Sequence, residues 1–180
     1  MNTNFELFIR IILRNECGKC GSGYVNDKDD SGGQTIYGIT RRNHPELKIW
    51  NSIDQLPTIR EKKAYRANKE EMEEIKMVYY RKYYRKLQCD YFNDDCLSLQ
   101  LFDMGVNAGI STAAKLLQEV LGITKDGIVG EQTVHTANVQ KRVCEKYKER
   151  RKEYYMAISK KGNNAKYLKG WLRRVDKTKI

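Results

Sequence analysis

The chain has 180 residues, 40% hydrophobic and 32% charged, which is the length of one ordinary domain with enough apolar content to bury a core. Its longest apolar stretch, Phe8 to Leu13, is broken by Arg10 and falls far short of the roughly 20 residues of a membrane-spanning helix; 2 Pro, 13 Gly and no fixed-period repeat exclude collagen-like, disordered and solenoid architectures. The net charge of +11 sits wholly at one end, since residues 1–140 carry equal numbers of basic and acidic side chains while 141–180 hold 15 basic residues against Glu145, Glu149, Glu153 and Asp176.

Residues 3–16 place Phe5, Phe8, Ile9, Ile12 and Leu13 at helical spacing with Arg10 and Arg14 opposite, predicting an amphipathic helix that ends at Asn15-Glu16-Cys17-Gly18. From Gly18 to Gly38 the helical period gives way to Gly, Asp, Ser and Asn with short extended pieces at Tyr24-Val25 and Thr35-Tyr37, a loop with a small hairpin. Beyond Pro57 a helical pattern runs to about Leu87, broken near Asn68, and carries Tyr79, Tyr80, Tyr83 and Tyr84, which read as core or interface packing. Further helices are expected from Leu97 to Asn107, from a Ser111 cap to Leu121 with a stop at Gly122, and from Glu131 to Asn138. After them come a very basic helix over about Gln140–Ser159 and a last one around Ala165–Val175. The basic end suits an anionic partner: nucleic acid, an acidic membrane surface or an anionic wall polymer.

Met1 to Glu6 has no basic start, apolar run or small-residue cleavage site, so synthesis in a cytoplasm without a secretory signal is expected. Five cysteines, an odd number, argue against a secreted disulfide framework and leave at least one unpaired thiol in a monomer. Cys17-Gly18-Lys19-Cys20 has the spacing of a zinc knuckle or redox dithiol, yet no further pair of ligands is evident, and a local disulfide or two plain thiols is expected. Asp27 to Gly32 opens like a calcium loop but meets Gly38 where the closing bidentate Glu is required, so no metal is expected. The remaining constellation is Glu16 at the end of the first helix, followed by carboxylates on a Gly-rich hairpin and by Thr35 and Tyr37. Glycosidic bond cleavage needs one carboxylic acid held against an apolar wall, which can raise a Glu pKa to about 6, and a second polar group to position water.

At these residues the chain resembles a known family. Glu16, then Gly23-Tyr24-Val25-Asn26-Asp27-Lys28-Asp29-Asp30-Ser31-Gly32-Gly33-Gln34-Thr35-Ile36-Tyr37-Gly38-Ile39-Thr40, is similar to the signature E-G-G-Y-V-N-D-P-x-D-P-G-G-x-T-x-x-G-I-T of glycoside hydrolase family 108, lysozyme-like N-acetylmuramidases. Tyr80 to Tyr84 resembles the family's Y-x-x-Y-W helix, and Phe102 to Gly109 its F-D-x-x-V-N-x-G segment. Leu117-Gln118, Leu121-Gly122, Asp126 to Gly130, Thr133 and Lys169 to Val175 are similar to the peptidoglycan-binding module that accompanies the family. The chain departs by inserting Cys17 to Gly21, so that Glu16 precedes Tyr24 by eight residues instead of three, and by placing Lys28 and Ser31 where prolines are usual.

The resemblance implies a mainly α, lysozyme-like α+β fold: a helical bundle with a small β-hairpin, catalytic over 1–108 and peptidoglycan-binding over 109–180, packed as one compact unit. It implies Glu16 as general acid, Asp30 and Thr35 as groups that stabilise positive charge or hold the attacking water, and Asp27 as a second carboxylate candidate. Tyr24, Tyr37, Asp103 and Asn107 would line the saccharide groove. The implied reaction is hydrolysis of the β-1,4 bond between N-acetylmuramic acid and N-acetylglucosamine in peptidoglycan, without cofactor. With no secretory signal expected, a monomeric phage or prophage endolysin stored in the host cytoplasm fits, as does a secretion-associated bacterial muramidase, and the charge of residues 141–180 suits an anionic wall or outer-membrane surface. The rivals are a lytic transglycosylase on the same bond and a wall-binding protein disabled by the insertion. A nucleic-acid-binding protein is disfavoured by the lack of any helix-turn-helix or zinc-finger pattern.

Overall fold

The computed structural model describes residues 3–17, 21–26 and 33–180. They form two compact units: Ile9–Tyr80, and Met1–Phe8 together with Arg81–Ile180. The division by packing after Phe8 falls between Tyr80 and Arg81.

Helix α1, Thr3–Cys17, follows the expected pattern, with Phe5, Phe8, Ile9 and Ile12 fully buried. In the smaller unit its second half is followed by a three-stranded antiparallel sheet of β1 (Val25–Asn26), β2 (Gln34–Ile36) and β3 (Ile39–Thr40), in that spatial order. Val25 faces Thr35 and Ile36 faces Ile39. The two residues joining β2 to β3, Tyr37 and Gly38, both have positive φ (50° and 72°), as the tight hairpin turn that matches strand twist requires.

Helix α2 (Ile49–Asp54) buries Ile49, Trp50 and Ile53 and was not expected, because six residues are too few to display a period. Helices α3 (Ile59–Ala64) and α4 (Lys69–Tyr79) start at reciprocal capping boxes, Thr58 with Glu61 and Asn68 with Glu71. The second box causes the break expected near Asn68. Glu71 is buried and also accepts hydrogen bonds from Ser52 at 2.5 Å and from Tyr65 at 2.9 Å.

A π-helical turn, Tyr80–Tyr84, follows α4. In the larger unit Tyr84 packs edge-on against Phe5 and Phe102 at 5.0 and 5.4 Å, and each such buried aromatic ring contributes about 2–3 kcal/mol of apolar burial. Helix α5 (Asp95–Ala108) is buried on nearly all sides and capped by the Asp94 carboxylate. Gly109 closes α5 and opens α6 (Ile110–Leu121). Ser111 therefore lies inside α6 and does not cap it, contrary to the sequence expectation; the helix starts two residues earlier, at the break Gly109 makes. The expected stop at Gly122 is present.

Helices α7 (Glu131–Val139), α8 (Val143–Ser159) and α9 (Leu168–Lys177) complete the unit, with a 3-10 turn over Gly162–Tyr167 before α9. Trp171 of α9 is half-buried and stacks on Tyr155 at 5.3 Å. A disulfide joins Cys96 of α5 to Cys144 of α8 across 48 residues, a pairing the cysteine count did not suggest; closing such a loop typically contributes about 2–4 kcal/mol. Cys17 and Cys89 carry free thiols, and Cys20, the expected local partner of Cys17, lies outside the described residues. Among the described residues no helix is long and apolar enough to cross a membrane.

Candidate active site

Glu16 sits in the last turn of α1, half-buried, on the helix whose Ile9 and Ile12 anchor the smaller unit. Its carboxylate lies against the β2–β3 turn. A β-carbon at Gly38 would stand 3.0 Å from Glu16 Oε2 and 2.5 Å from the Tyr79 hydroxyl, so only glycine permits this approach. The Tyr79 hydroxyl donates to the Tyr37 carbonyl at 2.7 Å, tying the turn to α4. Thr35, half-buried at the centre of the sheet, precedes that turn by two residues. The hairpin thus brings Gly38 to the Glu16 carboxylate.

The start of β2 is held by a cluster that sequence reasoning missed. Arg41 donates to both carboxylate oxygens of Asp54 at 2.7 Å and to Gln34 Oε1 at 2.9 Å, and lies over the Trp50 ring. Its hydrogen bonds hold the Asp54 carboxyl below the usual range. At the exit of the inserted loop, Ser22 is fully buried, donates from its hydroxyl to the Lys62 carbonyl at 2.8 Å, and accepts the Tyr37 N–H at 2.7 Å. These are pairings between residues far apart in sequence with no local signature.

Three of the residues expected to line a saccharide groove are buried and have structural partners. Tyr24 is buried with Lys62 over its ring, and Tyr37 is buried with its hydroxyl accepting the Ala67 N–H at 3.1 Å. Asp103 of α5 is fully buried and accepts hydrogen bonds from Arg151 at 2.6 Å and Arg174 at 2.9 Å. Burial alone would raise the Asp103 carboxyl, but the two guanidiniums outweigh it and hold it below its ordinary value. Asn107 is exposed, and its amide oxygen accepts from the Tyr155 hydroxyl at 2.7 Å. Asp27 and Asp30, and the calcium-like loop they belong to, lie outside the described residues.

Beside the end of α1 a hollow of about 630 Å³ opens, with Leu13, Met72 and Cys17 in its wall and the exposed Arg14 and Arg66 at its edge. Burial pushes the Cys17 thiol up to about 11, the Glu16 charge adds to the rise, and Arg66 opposes it. Among the described residues the one cluster of metal-type ligands is Asp94, Cys96 and Cys144, where the two sulfurs are already joined and Asp94 caps α5.

A glutamate ending an amphipathic helix, pressed on a β-hairpin turn in an otherwise helical chain, has the architecture of the lysozyme-like glycoside hydrolases. Residues 9–109 match the family model described as glycosyl hydrolase 108, and the chain belongs to that family and is a glycoside hydrolase. Residues 112–176 match a model described as a predicted peptidoglycan domain, which makes peptidoglycan the binding partner. The solved structure of Brucella abortus SagA has the same fold, with a TM-score of 0.69 at 23% identity, over 97% of this chain and 90% of that one. No curated protein matches the sequence.

Proposed function

We propose that the chain is an N-acetylmuramidase that hydrolyses the β-1,4 bond between N-acetylmuramic acid and N-acetylglucosamine, with residues 1–108 catalytic and 109–180 holding the wall. The observation that carries this reading is the approach of the Glu16 carboxylate to Gly38, which sets a single acid against the hairpin that bears Thr35. Glu16 gives its proton to the glycosidic oxygen as the C1–O bond breaks, and the leaving sugar departs as an alcohol. Asp30 and Thr35 stabilise the positive charge at C1 or hold the attacking water, whose hydroxyl adds to C1 while its proton passes to a carboxylate, Asp27 being the second candidate. Asn107 contributes an exposed amide for sugar hydroxyls, and Tyr24 and Tyr37 act as buried supports of the hairpin.

On this reading the protein is a monomeric endolysin of a phage or prophage, held in the host cytoplasm until lysis exposes the wall. The cationic residues of 141–180 then favour retention on anionic wall or outer-membrane polymers.

The test is digestion of purified peptidoglycan by the unmodified chain and by Glu16→Gln, with released fragments identified by mass spectrometry. Reducing muramic ends that fall by about 100-fold or more in the variant are expected. Anhydro-muramic ends would make the enzyme a lytic transglycosylase, and unchanged cleavage by Glu16→Gln would remove Glu16 from the role of acid.

A further inference from the structure

The Asp126–Gly130 turn between α6 and α7 is held with unusual economy of freedom. Gln118 of α6 is buried and spends its side chain on this turn, donating to Asp126 Oδ1 at 2.6 Å and to the Ile128 carbonyl at 2.9 Å while accepting the Gly127 N–H at 2.9 Å. Asp126 Oδ1 also accepts the Ile128 N–H at 2.8 Å. Gly127 has φ 82°, and a β-carbon there would stand 2.5 Å from Ser111 Oγ. Val129 is anchored in the core at 2% exposure, and its carbonyl accepts from Gln88 Nε2 at 2.7 Å.

Everything in the turn is thus fixed, yet Ile128 stands 68% exposed. It forms one wall of a concavity of about 460 Å³ shared with Ile110, Val129, Gln88 and the exposed Arg85 and Lys86. Among the described residues neither cation pairs with a carboxylate, and the Asp126 carboxylate is turned onto Gln118 and the turn's own N–H. A rigidly presented branched aliphatic side chain beside two available cations is complementary to a short acidic peptide bearing small apolar side chains. Peptidoglycan offers that chemistry in its stem peptides, which carry alanyl methyl groups together with free carboxylates.

We infer that the Ile128 concavity is a binding site for the stem peptide of peptidoglycan, with Arg85 and Lys86 taking its carboxylates and Ile110 and Ile128 its alanyl methyl groups. This rests on the reading of the chain as a peptidoglycan hydrolase and names where the peptide portion of that substrate is held. The cations lie in the segment matched to the hydrolase family and the turn in the segment matched to the peptidoglycan domain, so recognition of the peptide draws on both.

The test is sedimentation binding of full-length Glu16→Gln protein to intact sacculi and to glycan strands stripped of peptide by an amidase, at fixed salt. Intact sacculi are expected to bind about tenfold more tightly than stripped strands, the scale of one lost charge-assisted contact. Arg85→Ala/Lys86→Ala, and separately Ile128→Asn, should collapse that preference towards one without lowering Tm, because all three side chains are exposed or at the rim. Arg81→Ala/Lys82→Ala, which removes the same charge from exposed positions outside the concavity, should keep it. No preference in the parent, an unchanged preference in both variants, or an equal loss in the Arg81/Lys82 control would overturn the inference. Release of reducing ends from the same sacculi by the chain with Glu16 intact tests the hydrolase reading separately.

Discussion

At Glu16 the decisive neighbour is a residue with no side chain. Gly38 admits the carboxylate to the hairpin turn, and the adjacent thiol reports on it: burial is the main reason Cys17 is raised to about 11, the Glu16 charge adds to it and Arg66 subtracts. The sign follows from charge alone, since a neighbouring anion disfavours a thiolate and a neighbouring cation favours it. At a fixed pH near 8, alkylation of Cys17 by iodoacetamide is expected to be slow, to speed up severalfold in Glu16→Gln and to slow further in Arg66→Ala. Rates that do not separate in these opposite directions would show that the Glu16 carboxylate exerts no field at the thiol. The places of Glu16 at the end of α1 and of Thr35 on an extended segment were legible because each follows from its immediate neighbours. The burial of Tyr24 and Tyr37 was not, because a hairpin of two- and three-residue strands shows too little alternation to say which face is inside.

Among elements, the interlock of α5, α8 and α9 governs the larger unit. Asp103, fully buried, is held between Arg151 and Arg174, and Gln100 one turn away donates to the Val175 and Thr178 carbonyls at 3.1 and 2.6 Å and accepts from Arg151. Removing the charge from such a group strands two guanidiniums, so Asp103→Asn is expected to lower stability by about 3–5 kcal/mol in urea denaturation. The Asp103 carboxyl is depressed in the folded chain, so the unfolded chain binds the extra proton. Its stabilisation is therefore complete above the ordinary carboxylate pKa of about 4 and is lost as pH falls through the lower folded value. Asp103→Asn should flatten the fall of stability across that acidic window, and a variant that still matched the parent's acid slope would show that other carboxylates set it. From sequence, by the family resemblance, Asp103 reads as a saccharide-groove residue in the Phe102–Gly109 segment. Its partners lie 48 and 71 residues away, beyond any local pattern.

For the whole molecule, the charge of the last 40 residues is only partly available. Arg142 and Lys152 pair with Glu145 and Glu149, Arg150 with Glu119, and Arg151 and Arg174 are spent on Asp103. Lys160, Lys161, Lys169 and Lys177 are exposed, and among the described residues none pairs with a carboxylate. Binding to anionic wall polymer should weaken steeply as salt rises from about 50 to about 500 mM, because exposed charges are screened over roughly 4–14 Å in that range. Replacing these four lysines by Gln should reduce the salt-dependent part and leave the fold intact, the exposed Lys141, Lys146, Lys166, Arg173 and Lys179 supplying the remainder. Salt-independent retention would assign wall attachment to uncharged contacts. Deleting 141–180 is no substitute, since it removes Tyr147, Arg151, Tyr155 and Val175, all buried.

The sequence by itself determined the mainly helical class, the first helix and its terminal glutamate, the hairpin, the break at Asn68 and the stop at Gly122, because each is written in neighbours within a few residues. The family's ordered motifs were legible for the same reason. Only the tertiary structure decided that Asp103 is a buried link between Arg151 and Arg174, that Cys96 pairs with Cys144, that Arg41 holds β2, and that Ile128 is presented outward while Val129 is anchored. Those outcomes depend on which distant side chains share a dry interior. There, desolvation makes every unpaired polar group costly and so selects partners by position in space, not by spacing along the chain.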